Sequence, residues 1–309
     1  MTALIECVPN FSEGRRPEVV EQIAEAIRSV PGAHLLDYSS DEDHNRTVVT
    51  MVGSPEAVEE AAFRAIAKAA DLINMEEHQG GHPRLGATDV VPFVPVRGAK
   101  MEECVAIAKR LGQRVGEELG IPVYLYESAA SRPDRINLAD VRRGEYEKLR
   151  DTIESDPDRA PDFGPAKVGP AGGTIIGARP FLIAYNVYLK DADVEVANRI
   201  SRAIRHSNGG FRFVKGMGLE VEGMAQVSMN LTDFTRTPIY RVQEAIRREA
   251  ERYGARIAFA ELVGMIPQQA LIDAARWYLQ LDRMSDEQIL ENRLAALGED
   301  DRRPTTDDR

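Results

Sequence analysis

The amino-acid sequence predicts an α/β (α+β) protein built from two related subdomains. Three observations lead to this prediction. Helical and strand periodicities alternate in the order β-α-β-β-α-β through the first half, the same order returns in the second half, and a stretch rich in glycine and proline separates the two. This order is typical of the split β-α-β, or ferredoxin-like, arrangement of one sheet and one layer of helices. A chain of 309 residues is long enough for two compact domains of this kind.

The elements of the first half follow from local patterns. Ser54 followed by Pro55 is typical of a helix start, because serine caps the first turn and proline fits the first helical position. Apolar residues recur at helical spacing in the helices and form short β-rich runs in the strands. Strands are predicted over residues 4–8, 33–38, 46–52, 89–96 and 123–126, and helices over 18–30, 54–73 and 101–119.

The stretch 129–177 is the least regular part of the sequence. Its glycine and proline pairs predict that no long helix or strand crosses its second half, and a connection of this length is usually functional or a linker. Beyond it, strands are predicted over 181–189, 211–220, 225–231 and 256–263, and helices over 194–206, 238–253 and 269–279. Gly216-Met217-Gly218 lacks the third glycine and the following helix of a dinucleotide fingerprint, so we predict a β-bulge there.

These patterns predict three regions. Residues 1–178 form an amino-terminal subdomain, residues 179–282 a carboxy-terminal subdomain, and residues 283–309 a polar tail that is disordered in part. The segment 302–309 has no apolar residue and is expected to be disordered.

Composition excludes several classes of protein. The net charge of −11 argues against nucleic-acid binding, because proteins that bind nucleic acid usually have an excess of basic residues. A few arginines in a cleft can still attract an anionic small molecule. The two cysteines form no CxxC pair and are interpreted as reduced thiols. The amino-terminal residues lack the basic start and long apolar run of a signal peptide, and no stretch approaches the length of a membrane span. We therefore expect a cytoplasmic protein that binds neither nucleic acid nor membrane.

The loop from His78 to Asp89 contains the strongest candidate for chemistry, His82. Pro83 restricts His82 to extended backbone geometry, and a histidine fixed in a cleft is suited to moving protons near neutral pH. The alternative is a loop histidine that makes one structural hydrogen bond. On the motif alone, the two interpretations stand about equal.

Residues near His82 are also candidates for metal binding and for carboxylate binding. His78 and His82 have the spacing of a helical zinc pair, but the glycines between them disfavour a helix, and a third ligand from His44 or the acids 41–43 is not required by the sequence. Arg46 and Arg84 are candidates for binding a carboxylate, or else solvated surface arginines.

Several motifs in order resemble the glutamate formiminotransferase family. The resemblance extends from residue 3 to about residue 280 and rests on the segments 6–14, 45–48, 82–89, 92–98, 122–126, 143–147, 161–165, 177–179 and 225–231. A cyclodeaminase domain, fused to some members of the family, has no counterpart in the sequence. The resemblance therefore implies the stand-alone form, with a separate enzyme releasing ammonia from the product.

The resemblance implies a homodimer that binds folate in a tunnel between two α/β subdomains. It places the catalytic histidine at His82 and a folate-binding segment over Gly164, Pro165, Ala166, Lys167, Val168, Gly169, Pro170, Ala171 and Gly172. Within that segment only the Phe-Gly-Pro start and the later glycines match well. The acidic turn 39–43 departs from the family pattern, so no catalytic acid is assigned there.

The implied reaction moves a formimino group from N-formimino-L-glutamate to N5 of tetrahydrofolate, as in histidine degradation. His82 is expected to shuttle the proton, and Arg46 and Arg84 are expected to hold substrate carboxylates. Tetrahydrofolate is the co-substrate and no metal is expected. Three alternatives stay open: formyl transfer between 5-formyltetrahydrofolate and glutamate, folate binding without turnover, and a metal-dependent hydrolase built around His44, His78 and His82.

Overall fold

The computed structural model describes residues 3–300, with side chains described as far as residue 295. A first compact unit ends at Phe181 and a second begins at Leu182. Both combine one sheet with helices, which confirms the predicted α/β class. The predicted disordered segment 302–309 lies outside the described residues.

The first unit contains seven strands and five helices in chain order among its described residues. The strands are β1 (Leu4–Cys7), β2 (Asn10–Phe11), β3 (Ala33–Asp41), β4 (Arg46–Gly53), β5 (Thr88–Arg97), β6 (Val123–Glu127) and β7 (Thr174–Ala178). The helices are α1 (Pro17–Arg28), α2 (Pro55–Leu72), α3 (Met101–Glu118), α4 (Leu138–Val141) and α5 (Glu145–Thr152). The predicted cap is present, because the Ser54 side chain accepts a hydrogen bond from the Ala57 N–H at the start of α2.

The sheet of this unit extends a ferredoxin-like core. Both β1 and β2, separated by Val8 and Pro9, lie between β4 and β5 with antiparallel pairing, and β3 pairs with β4 at the edge. Beyond β5, strand β7 and then β6 continue the sheet in parallel. Side chains alternate between the two faces: on β5, Val91 and Phe93 join the larger core with α1, α2 and α3, whereas Val90 joins a smaller cluster with α4 and α5.

The second unit is a simpler version of the same arrangement. Its strands are β8 (Ile183–Lys190), β9 (Val214–Val221), β10 (Met224–Leu231) and β11 (Arg256–Val263), and its helices are α6 (Val194–Ile204), α7 (Ile239–Arg252), α8 (Gln268–Tyr278) and α9 (Leu290–Asp300). The strand order is β11-β8-β10-β9 and every pairing is antiparallel, as in a ferredoxin-like sheet. Helix α9 lies within the region predicted as a polar tail.

One short strand was not predicted, and one local prediction was wrong. The glycine- and proline-rich stretch ends in β7, a fully buried strand, because Thr174, Ile175 and Ile176 are inserted between β5 and β6. The pair Gly216 and Gly218 forms no bulge, since β9 keeps a regular register with β10. A Cβ atom on Gly218 would collide with the backbone of helix α6, so this glycine allows the helix to pack closely on the strand.

None of the helices in residues 3–300 has the length and apolar character needed to cross a membrane.

Candidate active site

The predicted histidine loop lies in the first unit, where it meets two other segments. These are the turn between β3 and β4 and the residues that follow β2. Together they surround a small cleft lined by Phe11, Ser12, His44, Asn45, Arg46, His78, His82, Arg84 and Asp89. The structure therefore brings His82, Arg46 and Arg84 together, as well as His44 and His78.

Asn45 holds the turn and the loop against each other. Its φ of 48° is left-handed, a conformation that asparagine adopts more readily than most residues. Its side-chain amide donates to the Gln79 carbonyl (2.9 Å), and its side-chain oxygen accepts from the Gly14 N–H (2.9 Å). The backbone N–H of Gly81 also donates to the Asp43 carbonyl (3.2 Å). These bonds fix the position of the loop that carries His82.

His82 is half-buried, and its surroundings keep its imidazole neutral. Burial is the main cause that lowers its pKa, and the nearby guanidinium groups of Arg46 and Arg142 lower it further, to about 3. At neutral pH the ring therefore has a free nitrogen lone pair that can accept a proton.

Arg46 is a half-buried cation whose hydrogen-bond partner is neutral. Its Nε donates to Asn10 Oδ1 (3.0 Å) and one terminal nitrogen donates to the same oxygen. Within the described residues its guanidinium forms no ion pair. Burial and the neighbouring Arg142 lower its pKa to about 10, which means that the site disfavours this positive charge. Such a cation favours binding of an anion, and a carboxylate matches its planar geometry.

Arg142 and Asp89 are site residues that the sequence reasoning missed. They form a buried ion pair, with Arg142 Nε donating to Asp89 Oδ1 (3.2 Å) and a second bond to the other oxygen. Asp89 also accepts from the backbone N–H of Leu85 (2.9 Å), which shapes the histidine loop. The two residues are 53 positions apart in sequence, so no local pattern indicated the pairing.

Arg84 is already engaged within the protein. It is 7% exposed, and its guanidinium forms ion pairs with Glu145 (2.8 Å) and Glu147 (2.6 Å) of α5. Its Nε also donates to His78 Nδ1 (3.3 Å). A substrate carboxylate at Arg84 would have to displace one of these partners, so the geometry favours a role in holding the loop over the predicted role of carboxylate binding.

His78 has both ring nitrogens occupied. Nδ1 accepts from Arg84, and Nε2 lies 3.1 Å from the Asn45 carbonyl, to which it donates as the neutral tautomer. Burial lowers its pKa, in agreement with a neutral ring. Its nitrogens are thus not free to bind a metal. In the part of the chain that the structure describes, no three His, Cys, Asp or Glu side chains are grouped as metal ligands.

The segment Gly164–Gly172 lies directly beside the histidine loop. The Ala87 N–H donates to the Ala171 carbonyl (2.8 Å), and the Gly173 N–H donates to the Leu85 carbonyl (3.0 Å). Gly172 has a left-handed φ of 73°, and a Cβ there would lie 2.5 Å from the Gly86 Cα, so only glycine fits. Residues 164–167 at the start of the segment are exposed, and Val168 in its middle is half-buried.

A neutral imidazole beside a poorly compensated guanidinium, on loops held by a rigid sheet, is typical of an enzyme that binds an anionic small molecule and transfers protons. The profile of the formiminotransferase domain, N-terminal subdomain, matches residues 4–179, and that of the formiminotransferase domain matches residues 184–304. The chain belongs to the formiminotransferase family, which confirms the resemblance seen in its motifs.

Similar proteins extend over almost the whole chain. The glutamate formimidoyltransferase of Thermoplasma acidophilum is 51% identical over 296 residues, which cover 94% of this chain and 97% of that protein. The protein of the same name from Streptococcus pyogenes is 45% identical over 298 residues, covering 95% and 99%. The formimidoyltransferase-cyclodeaminase of Rattus norvegicus is 46% identical over 293 residues, which cover 92% of this chain but 54% of that protein.

Proposed function

We propose that this enzyme transfers the formimino group of N-formimino-L-glutamate to N5 of tetrahydrofolate, giving 5-formiminotetrahydrofolate and L-glutamate. The observation that carries the proposal is the identity of 51% and 45%, over nearly their full length, to two proteins named glutamate formimidoyltransferase. The chemistry of the cleft around His82 agrees with what such a reaction needs. Tetrahydrofolate takes part as a co-substrate.

The reaction needs a proton acceptor close to N5. N5 is a secondary amine that attacks the formimino carbon, and its proton must leave as the new C–N bond forms. His82 is neutral because of burial and the nearby Arg46 and Arg142, and this form of the ring accepts a proton. We assign the N5 proton to His82.

Arg46 is the proposed carboxylate-binding residue for formiminoglutamate. Its guanidinium has only the neutral Asn10 side chain as a hydrogen-bond partner among the described residues, so a substrate carboxylate gains a charge-assisted bond there. Burial is the main cause of the low pKa of His82, and the guanidinium groups of Arg46 and Arg142 add to it. A carboxylate bound at Arg46 compensates one of these positive charges, which favours proton uptake by the ring.

The segment Gly164–Gly172 is the proposed folate-binding segment. The hydrogen bonds of this segment and of Gly173 to residues 85 and 87 attach it to the loop of His82, so a folate held there lies beside that loop. Fixing both substrates in one geometry contributes to the rate by removing the entropic cost of bringing them together. Arg84 is proposed to act by positioning, through its ion pairs with α5.

The proposal extends to the setting in which the enzyme acts. We infer a homodimer that works in the cytoplasm on folate and formiminoglutamate in histidine degradation, in keeping with the family resemblance of the sequence. Buried thiols at Cys7 and Cys104 agree with a reducing compartment.

The test is a transfer assay with two donors. The purified protein is incubated with N-formiminoglutamate and tetrahydrofolate, and acid conversion of the product to methenyltetrahydrofolate is followed by absorbance. A parallel reaction contains 5-formyltetrahydrofolate and glutamate. We expect turnover with the formimino donor at a kcat/KM at least ten times that of the formyl reaction. Turnover with the formyl pair alone would replace the proposed donor, and tetrahydrofolate binding without any turnover would show a binding protein.

A further inference from the structure

The acidic turn between β3 and β4 contains an aspartate–histidine pair that the proposed mechanism has not used. Asp41 accepts the backbone N–H of His44 with one carboxylate oxygen (2.8 Å), and its other oxygen lies 2.8 Å from Nδ1 of the His44 ring. These hydrogen bonds lower the pKa of Asp41, so it is a carboxylate at neutral pH. The pair fixes the tautomer with a proton on Nδ1, which leaves Nε2 as the nitrogen that can reach other groups.

The His44 ring lies next to the His82 ring in the same cleft. The ring centroids are 6.3 Å apart and the ring planes are 70° from each other. Both side chains line the cleft together with Arg46. His44 is exposed to solvent at the mouth of the cleft, whereas His82 is half-buried. Two imidazoles at this separation can each hydrogen-bond one of two nitrogens that are attached to the same carbon.

The charges around the two rings differ in sign. His82 faces the guanidinium groups of Arg46 and Arg142, which oppose a second proton on its ring. His44 is bonded to the Asp41 carboxylate, with Glu42 and Asp43 beside it in the same turn. Of the groups packed against this turn, the Arg15 side chain binds the Glu42 carbonyl (2.8 Å), and His82 is held neutral. A ring beside two guanidinium groups and a ring held by a carboxylate are suited to different roles in one reaction.

We propose that His44, held by Asp41, is the acid that protonates the departing glutamate nitrogen while His82 accepts the proton of N5. The role rests on the proposed formimino transfer. As the bond from N5 to the formimino carbon forms, the N5 proton passes to His82. As the bond from that carbon to the glutamate nitrogen breaks, its electron pair stays on nitrogen and takes the Nε2 proton of a His44 ring that is protonated on both nitrogens. Solvent then removes the proton from His82 and returns one to Nε2 of His44, so atoms and charges balance over one turnover.

The test compares pH profiles of three variants with the wild type. His44→Gln keeps the backbone N–H that Asp41 binds but has no titratable ring, and Asp41→Asn keeps the ring but removes its carboxylate. The control is His34→Gln, at an exposed histidine of β3, the strand that ends at Asp41. In the wild type we expect kcat to fall at alkaline pH as the acid loses its proton. In His44→Gln we expect kcat to fall by about 10²–10⁴-fold, and this alkaline limb to disappear.

The remaining measurements separate an acid from a structural residue. Asp41→Asn is expected to lower kcat across the pH range, because the His44 ring loses the carboxylate that orients it. The KM for tetrahydrofolate and the protection of amides from hydrogen exchange are expected to stay unchanged in His44→Gln. If the wild type catalyses transfer and His44→Gln keeps the same kcat, the role of His44 is overturned. The same holds if His44→Gln keeps the alkaline limb. Absence of transfer by the wild type would overturn the proposed function itself, and the role with it.

Discussion

The stability of the first unit should depend on pH through His82. The pKa of this histidine is about 3 in the folded protein against an ordinary value of 6.5, mainly because of burial. The unfolded chain therefore takes up this proton first as the pH falls. The stabilisation is fully present above pH 6.5 and is lost progressively toward pH 3, with a slope of up to about 1.4 kcal/mol per pH unit. Between pH 6.5 and pH 5 the loss would be about 2 kcal/mol for a fully shielded ring, and about 1 kcal/mol after allowance for solvent screening of a half-buried one.

The perturbation is His82→Asn, and the readout must report on the first unit. Trp277, the single tryptophan, lies in the second unit, so its fluorescence is unsuitable. Amide hydrogen exchange of peptides from β5 gives the free energy of unfolding at pH 7 and pH 5 for the wild type, His82→Asn and the exposed control His34→Asn. We expect the difference between the two pH values to be about 1 kcal/mol smaller in His82→Asn than in the other two proteins. Equal differences in all three would refute the argument that His82 is held neutral by its surroundings.

Three further changes test other parts of the site. Arg46→Gln should raise the KM for formiminoglutamate by about 10–100-fold, because a charge-assisted hydrogen bond is worth about 1.5–3 kcal/mol. An unchanged KM in steady-state kinetics would exclude Arg46 as the carboxylate-binding residue. Gly172→Ala should weaken tetrahydrofolate binding at least tenfold in titration calorimetry, because only glycine fits at that position. Gly169→Ala is the control and should leave the affinity unchanged, since a Cβ there meets open space. Equal tetrahydrofolate affinities of the two variants would contradict the proposed folate segment. Glu147→Gln should lower the free energy of unfolding, measured in urea, by about 1 kcal/mol. The loss is small because Arg84 keeps Glu145 as a partner and Glu147 is itself largely exposed. A loss of transfer without a loss of stability would mean that the Arg84–Glu147 pair takes part in the reaction.

Local periodicity was sufficient to predict most of the fold. Strand β11 begins and ends at the predicted residues 256 and 263, and helices α6, α7 and α8 end within about two residues of their predicted limits. Helix α9 was not predicted. These elements are amphipathic or bounded by proline and glycine, so the signal lies within each segment. Strand β7 was missed for the opposite reason. Its five residues follow a run of glycines and prolines, and it is a strand because β5 and β6 leave a place between them, which no local pattern indicates.

In the candidate site too, residues with a local signal were predicted and residues placed by distant contacts were not. His82 was predicted from its own loop, where a proline and several glycines exclude a helix. Arg142 was not, because its position beside the cleft depends on an ion pair with Asp89 across 53 residues of sequence. No catalytic acid was assigned to the acidic turn at Asp41, since the sequence gives no sign that the ring of His44 lies next to that of His82. Roles that depend on distant contacts became visible only in three dimensions.

The most direct test of the central claim is a comparison of transfer rates at saturating substrates for the wild type, His82→Ala and His34→Ala. The rate of methenyltetrahydrofolate formation after acid treatment is measured with N-formiminoglutamate and tetrahydrofolate, together with tetrahydrofolate affinity for each protein. A proton acceptor of this kind contributes about 10²–10⁴-fold, so we predict a loss of that size in His82→Ala with tetrahydrofolate affinity retained, and no change in His34→Ala. Full turnover by His82→Ala would contradict the assignment of the N5 proton to His82.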